Sequence, residues 1–377
     1  MIEKSGPSTQ APTLIPADVV VVGAGPAGAS FALNLASFHR VLLIDKQQDP
    51  MSRIGESLAA AARRLLADMG LWEDFLLEGH SSCHGGQSIW GSAAPAELDS
   101  LRDLDGPGWH LDRHRFTQWL RQAACVRGAA VLAPALIETV TRGVDGGWII
   151  DLTLGDRPLQ VRPKLVVDAG GRGSPLAKQL GATRTVTDKL VCRYLHGTDI
   201  ASRQSGITHI EAEADGWWYS APLPGGRRVL AFHTDADLPA AQQLRDTQSL
   251  MQRLQNGTLL PKVLTQSGFR PEGETGFCAA HSSHLDAAFG EGWMAIGDAA
   301  ISFDPLSSQG LFNALYAGLA AAEAADRYLG GEHAALASYG DGLQPIQAAY
   351  RHHLQAWYGM ERRFQSNLFW QRRHQMV

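Results

Sequence analysis

Cysteine is scarce and scattered in this chain of 377 residues. The four residues Cys83, Cys125, Cys192 and Cys278 form no Cys-x-x-Cys pair and no metal-ligand spacing. That excludes a disulfide framework and a zinc site, so the thiols read as reduced, in a cytoplasmic protein without a bound metal. Long apolar runs are missing too, so no segment spans a bilayer and no membrane role is expected. A basic start followed by an apolar run is absent from residues 1–16, which excludes a secretory signal. Those residues are rich in proline, serine and threonine and are expected to be a disordered leader. Positive charge is not in excess: the net charge is −5, which gives no case for nucleic acid as a partner. No lysine occurs between Lys46 and Lys164. What remains is a chain that is 45% hydrophobic and 19% charged, enough to bury a large core.

Glycine, in contrast, is plentiful and placed. Val19 to Val22 make a short buried strand that runs into Gly23-Ala24-Gly25-Pro26-Ala27-Gly28, and a helix is expected over Ala29 to Ser37. The first glycine permits a tight turn, the second lets backbone approach a pyrophosphate, and the third lets helix and strand pack closely. The helix N-terminus favours the anionic phosphates. A second strand, Val41 to Ile44, ends at Asp45, close to the distance expected of an acid that bonds a ribose hydroxyl, with Lys46 beside it. The theme recurs twice. Leu165 to Val167 lead into Asp168-Ala169-Gly170, a turn of the kind that can complete a dinucleotide site. Trp293 to Ile296 lead into Gly297-Asp298, followed by Phe303-Asp304-Pro305-Leu306-Ser307-Ser308-Gln309-Gly310 and a helix expected over Leu311 to Tyr328. The loop before that helix presents free amides to something electron-rich.

Between these turns, Arg53-Ile54-Gly55-Glu56-Ser57 precedes a helix expected from Leu58 to Met69. Glu56 and Ser57 either cap that helix or stand beside a cofactor. Gly79 to Gly91 read as a strand-and-loop excursion in which His84 and Trp90 are candidates for a pocket wall. Asp112 is a plausible N-cap for a helix over Arg115 to Arg127. Ala129–Leu132, Leu136–Val140 and Trp148–Leu154 look like a small meander. From Ala182 to His281 the period is that of strands. Trp217 to Leu223 and Arg227 to Thr234 form a hairpin, and a helix over Leu238 to Gln255 lies on it. Trp217, Trp218 and Tyr219 are either core or a wall for an aromatic substrate. The tail from Pro345 is helical, aromatic and basic; it either packs across the body with its arginines in water or docks a partner.

The three glycine turns resemble those of the FAD-dependent monooxygenase superfamily, the group of p-hydroxybenzoate hydroxylase. The resemblance implies FAD as cofactor. It implies that the first turn holds the ADP half, that Asp298 bonds the ribityl chain and that the loop after it approaches the isoalloxazine. It also implies that Arg113 contacts the FAD. The expected fold is α/β: a Rossmann-like FAD/NAD(P)-binding domain (17–82, 105–180 and 285–344), an inserted antiparallel β-sheet substrate domain (83–104 and 181–284) and a C-terminal helical segment (345–377). The cofactor candidates are Gly23, Gly25, Pro26, Ala27, Gly28, Asp45, Lys46, Arg53, Glu56, Ser57, Arg113, Asp168, Gly170, Gly297, Asp298, Pro305, Ser308, Gln309 and Gly310.

Within that superfamily the chain is similar to flavin-dependent halogenases. Their Phe-x-Pro-x-x-Ser-x-Gly motif stands at Phe303, Pro305, Ser308 and Gly310, and an altered Gly-Trp-x-Trp-x-Ile-Pro motif begins at Gly216. The lysine that steers hypohalous acid in halogenases is replaced by His84, which argues against halogenation. Gly55-Glu56-Ser57-Leu58, Ser88 to Ser92, Gly108 to Arg113 and Phe369 to Arg373 resemble the flavoproteins that mature tryptophylquinone cofactors of amino-acid oxidases. That resemblance implies an aromatic hydroxylation by a flavin C4a-hydroperoxide on a tryptophan of a precursor quinoprotein oxidase. O2 and NAD(P)H, or a separate reductase, would serve it. The catalytic candidates are His84, Trp90, Tyr219, Glu56, Ser307 and Ser308. Hydroxylation or halogenation of a free small aromatic, an isoprenoid-reductase-like reaction and a non-catalytic chaperone role are the alternatives.

Overall fold

The computed structural model describes residues 12–49, 54–99, 105–144, 146–201 and 206–375. Among them, a six-stranded sheet carries the glycine turns. Its order is Phe289–Gly290, Trp293–Ala295, Leu165–Asp168, Val19–Val22, Val41–Ile44 and Ala130–Leu132, and all neighbours but the first pair run parallel. Parallel strands need helical crossovers on their faces, so the inner strands Trp293–Ala295, Leu165–Asp168, Val19–Val22 and Val41–Ile44 are largely buried and apolar, Asp168 excepted, while the edge strand Ala130–Leu132 is partly exposed. The helix after the first turn is Pro26–Leu35 and starts earlier than the expected Ala29. Proline is favoured there because the first-turn amide has no partner within the helix. Gly310–Leu329 crosses this helix closely enough that Ser30 Oγ donates to the Leu315 carbonyl at 2.9 Å. A Cβ on Gly318 would lie 2.6 Å from that of Ser30.

A seven-stranded sheet forms the second layer, in the order Arg270–Ala279, Leu190–Thr198, Arg227–Asp235, Gly216–Leu223, Ile207–Glu213, Gly85–Ile89 and Ala96–Asp99. Side chains alternate across it. Trp217 faces the nucleotide-binding layer with Cys192 and Ala231, whereas Trp218 faces outward with Leu230 and Phe232. Both tryptophans are core. The outer face is covered by Pro239–Gln243, Thr247–Leu254 and Leu260–Ser267. The single helix expected over Leu238 to Gln255 is therefore two. Asp246 breaks it, because its carboxylate accepts from Ser249 N and starts a new helix.

Other expectations are corrected here. Ala130–Leu132 is the edge of the parallel sheet, paired with Val41–Ile44, and not part of the meander. The meander is Ala135–Arg142, Trp148–Leu154 and Arg157–Val161, and Thr13–Ile15 joins it in parallel. The end of the supposed leader is thus a strand. Ser57–Leu58 is also a strand, paired with Gly108–His110, and the helix behind it is Ala62–Asp68, so Glu56 and Ser57 cap nothing. The tail folds into Ala335–Met360 and Leu368–His374. Tyr350, Tyr358, Phe369 and Trp370 are buried in the body. Arg373 is 1% exposed, pairs with Asp235 at 2.7 Å and sits 3.4 Å over the Phe369 ring. Arg372 pairs with Asp235 and Asp237, and Arg363 pairs with Glu361. These groups hold the tail to its own sheet, which removes them from a docking surface. No helix among the described residues is long and apolar enough to cross a membrane.

Candidate active site

The first and third glycine turns meet. Gly297 adopts φ +56, and a Cβ there would lie 2.7 Å from Ala27 Cβ. Gly28 has no room either, because a Cβ would lie 2.0 Å from the Gly23 carbonyl. Gly25 differs: nothing lies within 4 Å of where its Cβ would stand, and its turn leads into the amides of Pro26–Leu35 without a side-chain cap. Gly310 is equally open, at the uncapped start of its twenty-residue helix. Two helix N-termini without a side-chain cap thus begin beside free space, the arrangement that favours an anion. Asp45 closes the first turn. Its Oδ2 accepts from Ala24 N at 2.9 Å and from Arg121 Nη2 at 2.8 Å, and its Oδ1 accepts from Gln47 N. Lys46 is exposed beside it. Asp298 is 39% exposed, with Arg172 at 3.7 Å.

The second turn is closed on itself. Asp168 is fully buried; its Oδ1 accepts from Gly170 N and its Oδ2 from Ala177 N, each at 2.8 Å. Burial pushes its carboxyl up from the ordinary range, against these amides. A Cβ on Gly170 would lie 2.6 Å from Pro175. Asp168 and Gly170 therefore brace the Pro175–Gln179 helix.

Glu56 stands between the two layers. It is 2% exposed, and His196 Nε2 donates to its Oε1 at 3.0 Å, while Gly55 N donates to its Oε2 at 2.8 Å. Ser57 follows it into the strand that packs against Gly310–Leu329. Arg113 Nη1 donates to the Gly55 carbonyl at 2.7 Å and holds the same segment. Tyr219 lies close by, packed with Ile54 against the cluster of Ala221, Leu223 and Val229. Its hydroxyl is pushed well above its ordinary value, by burial first and by the Glu56 charge second. Glu56, Asp112, Arg113, His196 and Arg227 enclose a cavity of about 10 Å³, room for about one water molecule.

The loop Pro305 to Gln309 leads into the Gly310–Leu329 helix. Ser308 holds φ +52, uncommon for a residue with a side chain, and Pro305, Ser308 and Gln309 are exposed. Ser307 Oγ donates to the Asp304 carbonyl at 2.8 Å. Asp304 anchors the loop: its Oδ1 accepts from Leu306 N, and its Oδ2 accepts from Tyr358 at 2.7 Å. Its carboxyl is pushed up to about 6, by burial and then by the charge of Asp188.

His84 is placed apart from Glu56 and Tyr219. It is exposed and lines a cavity of about 540 Å³ at the end of the seven-stranded sheet, with Gln87, Glu97, His209 and Arg228. His209 pairs with Ser220, and Arg228 lies on the same outer face, opposite to Tyr219. Burial, helped by the Arg228 charge, pushes His209 down to about 4, so its imidazole is neutral at pH 7. Arg228 is matched by Asp199 at 2.8 Å. Trp90 belongs to neither group. Its indole donates to the Trp357 carbonyl at 2.8 Å, and its ring packs on Trp217, Tyr358 and Trp370, which corrects its placement on the substrate side. Arg53 lies outside the described residues.

Sequence reasoning missed His196, Arg121 and Asp304. The first two lie 140 and 76 residues from the acids they hold, with no local signal. Asp304 stood inside a recognised motif at a position the motif leaves open.

Residues 16–316 match the FAD binding domain family. The FAD-dependent oxidoreductase LodB of Marinomonas mediterranea is 30% identical over 95% of this chain and 96% of its own. A brominase of pyrrole-2-carbonyl groups on a peptidyl-carrier protein, from Pseudoalteromonas luteoviolacea, is 25% identical over 83% of this chain and 78% of its own. Among solved structures, the myxobacterial chondrochloren halogenase CndH superposes with a TM-score of 0.86, covering 96% of this chain and 86% of that one. At 22% identity it speaks to the fold alone. The residues fit the dinucleotide: the open spaces at Gly25 and Gly310 sit at uncapped helix starts.

Proposed function

Since the chain belongs to the FAD binding domain family of flavin-dependent oxidoreductases, we propose that it is a monooxygenase that hydroxylates an aromatic ring. Its substrate in this reading is a tryptophan side chain of a precursor quinoprotein oxidase, on the way to a tryptophylquinone. The turn Gly23 to Gly28 would hold the diphosphate, Asp45 a ribose hydroxyl, Asp298 the ribityl chain, and Pro305 to Gly310 the ring end. Bound there, FAD would activate O2 for attack on an electron-rich ring. The protein's share is positioning and proton handling. Tyr219 and Ile54 wall the inner face against water. Glu56 Oε1 holds the proton on His196 Nε2, and the one-water cavity beside them gives that pair a partner for exchange.

The observation that carries this reading is the buried Glu56–His196 pair beside Tyr219, with room for about one water molecule, on the face of the seven-stranded sheet that looks toward the glycine turns. The stretches shared with tryptophylquinone-maturing flavoproteins support the choice of tryptophan. A second reading, hydroxylation or halogenation of a free small aromatic, is favoured by the 25% identity with a brominase of pyrrole-2-carbonyl groups.

The test is peptide mass spectrometry on a quinoprotein oxidase precursor co-expressed with and without this protein. Oxygen on one tryptophan only when the protein is present supports the proposal. An unmodified tryptophan in both samples, with turnover of free tryptophan or a phenol, supports the second reading. A His84→Ala variant that keeps FAD is expected to lose most of the product; full yield would remove His84 from the site.

A further inference from the structure

Two of the four scattered cysteines are brought face to face by the fold. Cys192, on Leu190–Thr198, is directly opposite Cys278, on Arg270–Ala279, in an antiparallel pair. Directly opposed residues in such a pair have Cα atoms about 4.5 or 5.5 Å apart, depending on the hydrogen-bonding type. Both values fall within the roughly 4.4–6.8 Å that a disulfide spans, so closure needs no movement of backbone. The register is pinned on the same strand. Gly276 lies beneath the Tyr194 ring, where a Cβ would come within 2.3 Å, and Arg193 stacks 4.7 Å from the Phe277 ring.

The two thiols are unequal. Cys192 is 1% exposed and packs in the inner core with Trp217 and Ala231, while Cys278 is half-buried on a strand at the edge of the sheet. Burial, the hydrogen bond with Cys278 and the Glu56 charge push the Cys192 thiol well above its ordinary value, so Cys192 stays protonated. The other two cysteines have no such partner in register: Cys83 contacts Thr208, and Cys125 lies on the Arg113–Val126 helix.

We propose that Cys192 and Cys278 are a redox-active dithiol, closed to a cross-strand disulfide by hydrogen peroxide. Peroxide is the oxidant at hand in a flavoenzyme, because a reduced flavin that meets O2 without an acceptor releases it. In the first step, Cys278 sulfur attacks peroxide; an S–O bond forms, the O–O bond breaks and water leaves. In the second, Cys192 sulfur attacks the sulfenic sulfur as its proton passes to the departing hydroxyl; the S–S bond forms, the S–O bond breaks and a second water leaves. The two thiols lose two electrons and two protons in all, and peroxide takes them up. Closure staples the edge strand to the sheet beside the Glu56–His196 pair. The proposal is independent of which aromatic is hydroxylated.

The experiment adds hydrogen peroxide to the full native chain, blocks remaining thiols and maps peptides by mass spectrometry, with a parallel thiol titration. The expected result is loss of two of the four thiols, one Cys192–Cys278 crosslinked peptide and its reversal by dithiothreitol. Cys192→Ala is expected to trap Cys278 as a sulfenic acid that dimedone labels. Oxidation of Cys83 or Cys125 with Cys192 and Cys278 left as thiols would overturn the proposal, as would loss of thiol without the crosslinked peptide.

Discussion

The turns at Gly23 to Gly28 and at Asp168 to Gly173 are alike in sequence and opposite in use. Each follows a buried parallel strand, and each contains an acid or a neighbouring acid with glycines. In the first, the space over Gly25 is empty and a helix start points into it. In the second, Asp168 accepts from Gly170 N within the turn and from Ala177 N in the following helix, and Pro175 lies where a Cβ on Gly170 would stand. The first turn thus leaves a helix start open to a ligand, while the second ties its acid to the helix that follows.

The largest effect that can break this contrast is expected at Asp168. Asp168→Ala orphans two amides, one of them buried, and should cost about 2–4 kcal/mol of stability. The melting temperature should fall as much in the FAD-free protein as in the loaded one. A loss confined to FAD binding, with an unchanged apoprotein melt, would place Asp168 at the cofactor. Gly25→Val should do the reverse. It should lower FAD affinity about a hundredfold, roughly 3 kcal/mol, and leave the apoprotein melt nearly unchanged. Retained FAD in a folded Gly25→Val chain would mean that the open space is not the diphosphate site.

Asp304 sharpens the contrast from the third turn through pH. Its pKa of about 6 is raised above that of the unfolded chain, so the folded protein binds the proton more tightly. The stabilisation is present below the ordinary carboxylate range and is lost as pH rises through about 6. Asp304→Asn keeps the shape without the charge. Its melting temperature should gain on the wild type between about pH 4 and pH 6 and hold level above. A gap independent of pH would contradict the buried, protonated acid. The smallest effect is expected at Arg121, which holds Asp45 from a distant helix. Arg121→Ala should weaken FAD binding about tenfold by loosening Asp45, as fluorescence titration would register. Unaltered affinity would leave Asp45 fixed by Ala24 and Gln47 alone.

The fold and the first turn were legible because their signals are local. A β-branched strand, glycines at set spacing and an acid on the next strand fall within residues 19–45 and need no partner from elsewhere. The bracing role of Asp168 was hidden for the same reason: the spacing shows that an acid is present but not what its oxygens bond, since Ala177 N lies in the following helix. The tail misled because arginines and aromatics on a helix have the same composition whether they meet a partner or their own sheet. Arg372 and Arg373 found Asp235 and Asp237, some 135 residues away. Glu56 was a candidate beside the cofactor, but its partner His196 lies on an alternating strand that marks no single residue. The break at Asp246 was hidden because capping outweighed an apolar period that runs through it.

The most direct measurement is a structure of the protein with FAD bound. The account predicts the diphosphate against Gly25 and the start of Pro26–Leu35, with the flavin ring at the start of Gly310–Leu329 facing Glu56 and Tyr219. A diphosphate seated on Gly170 to Gly173, or a flavin ring on the far side of the seven-stranded sheet, would contradict it.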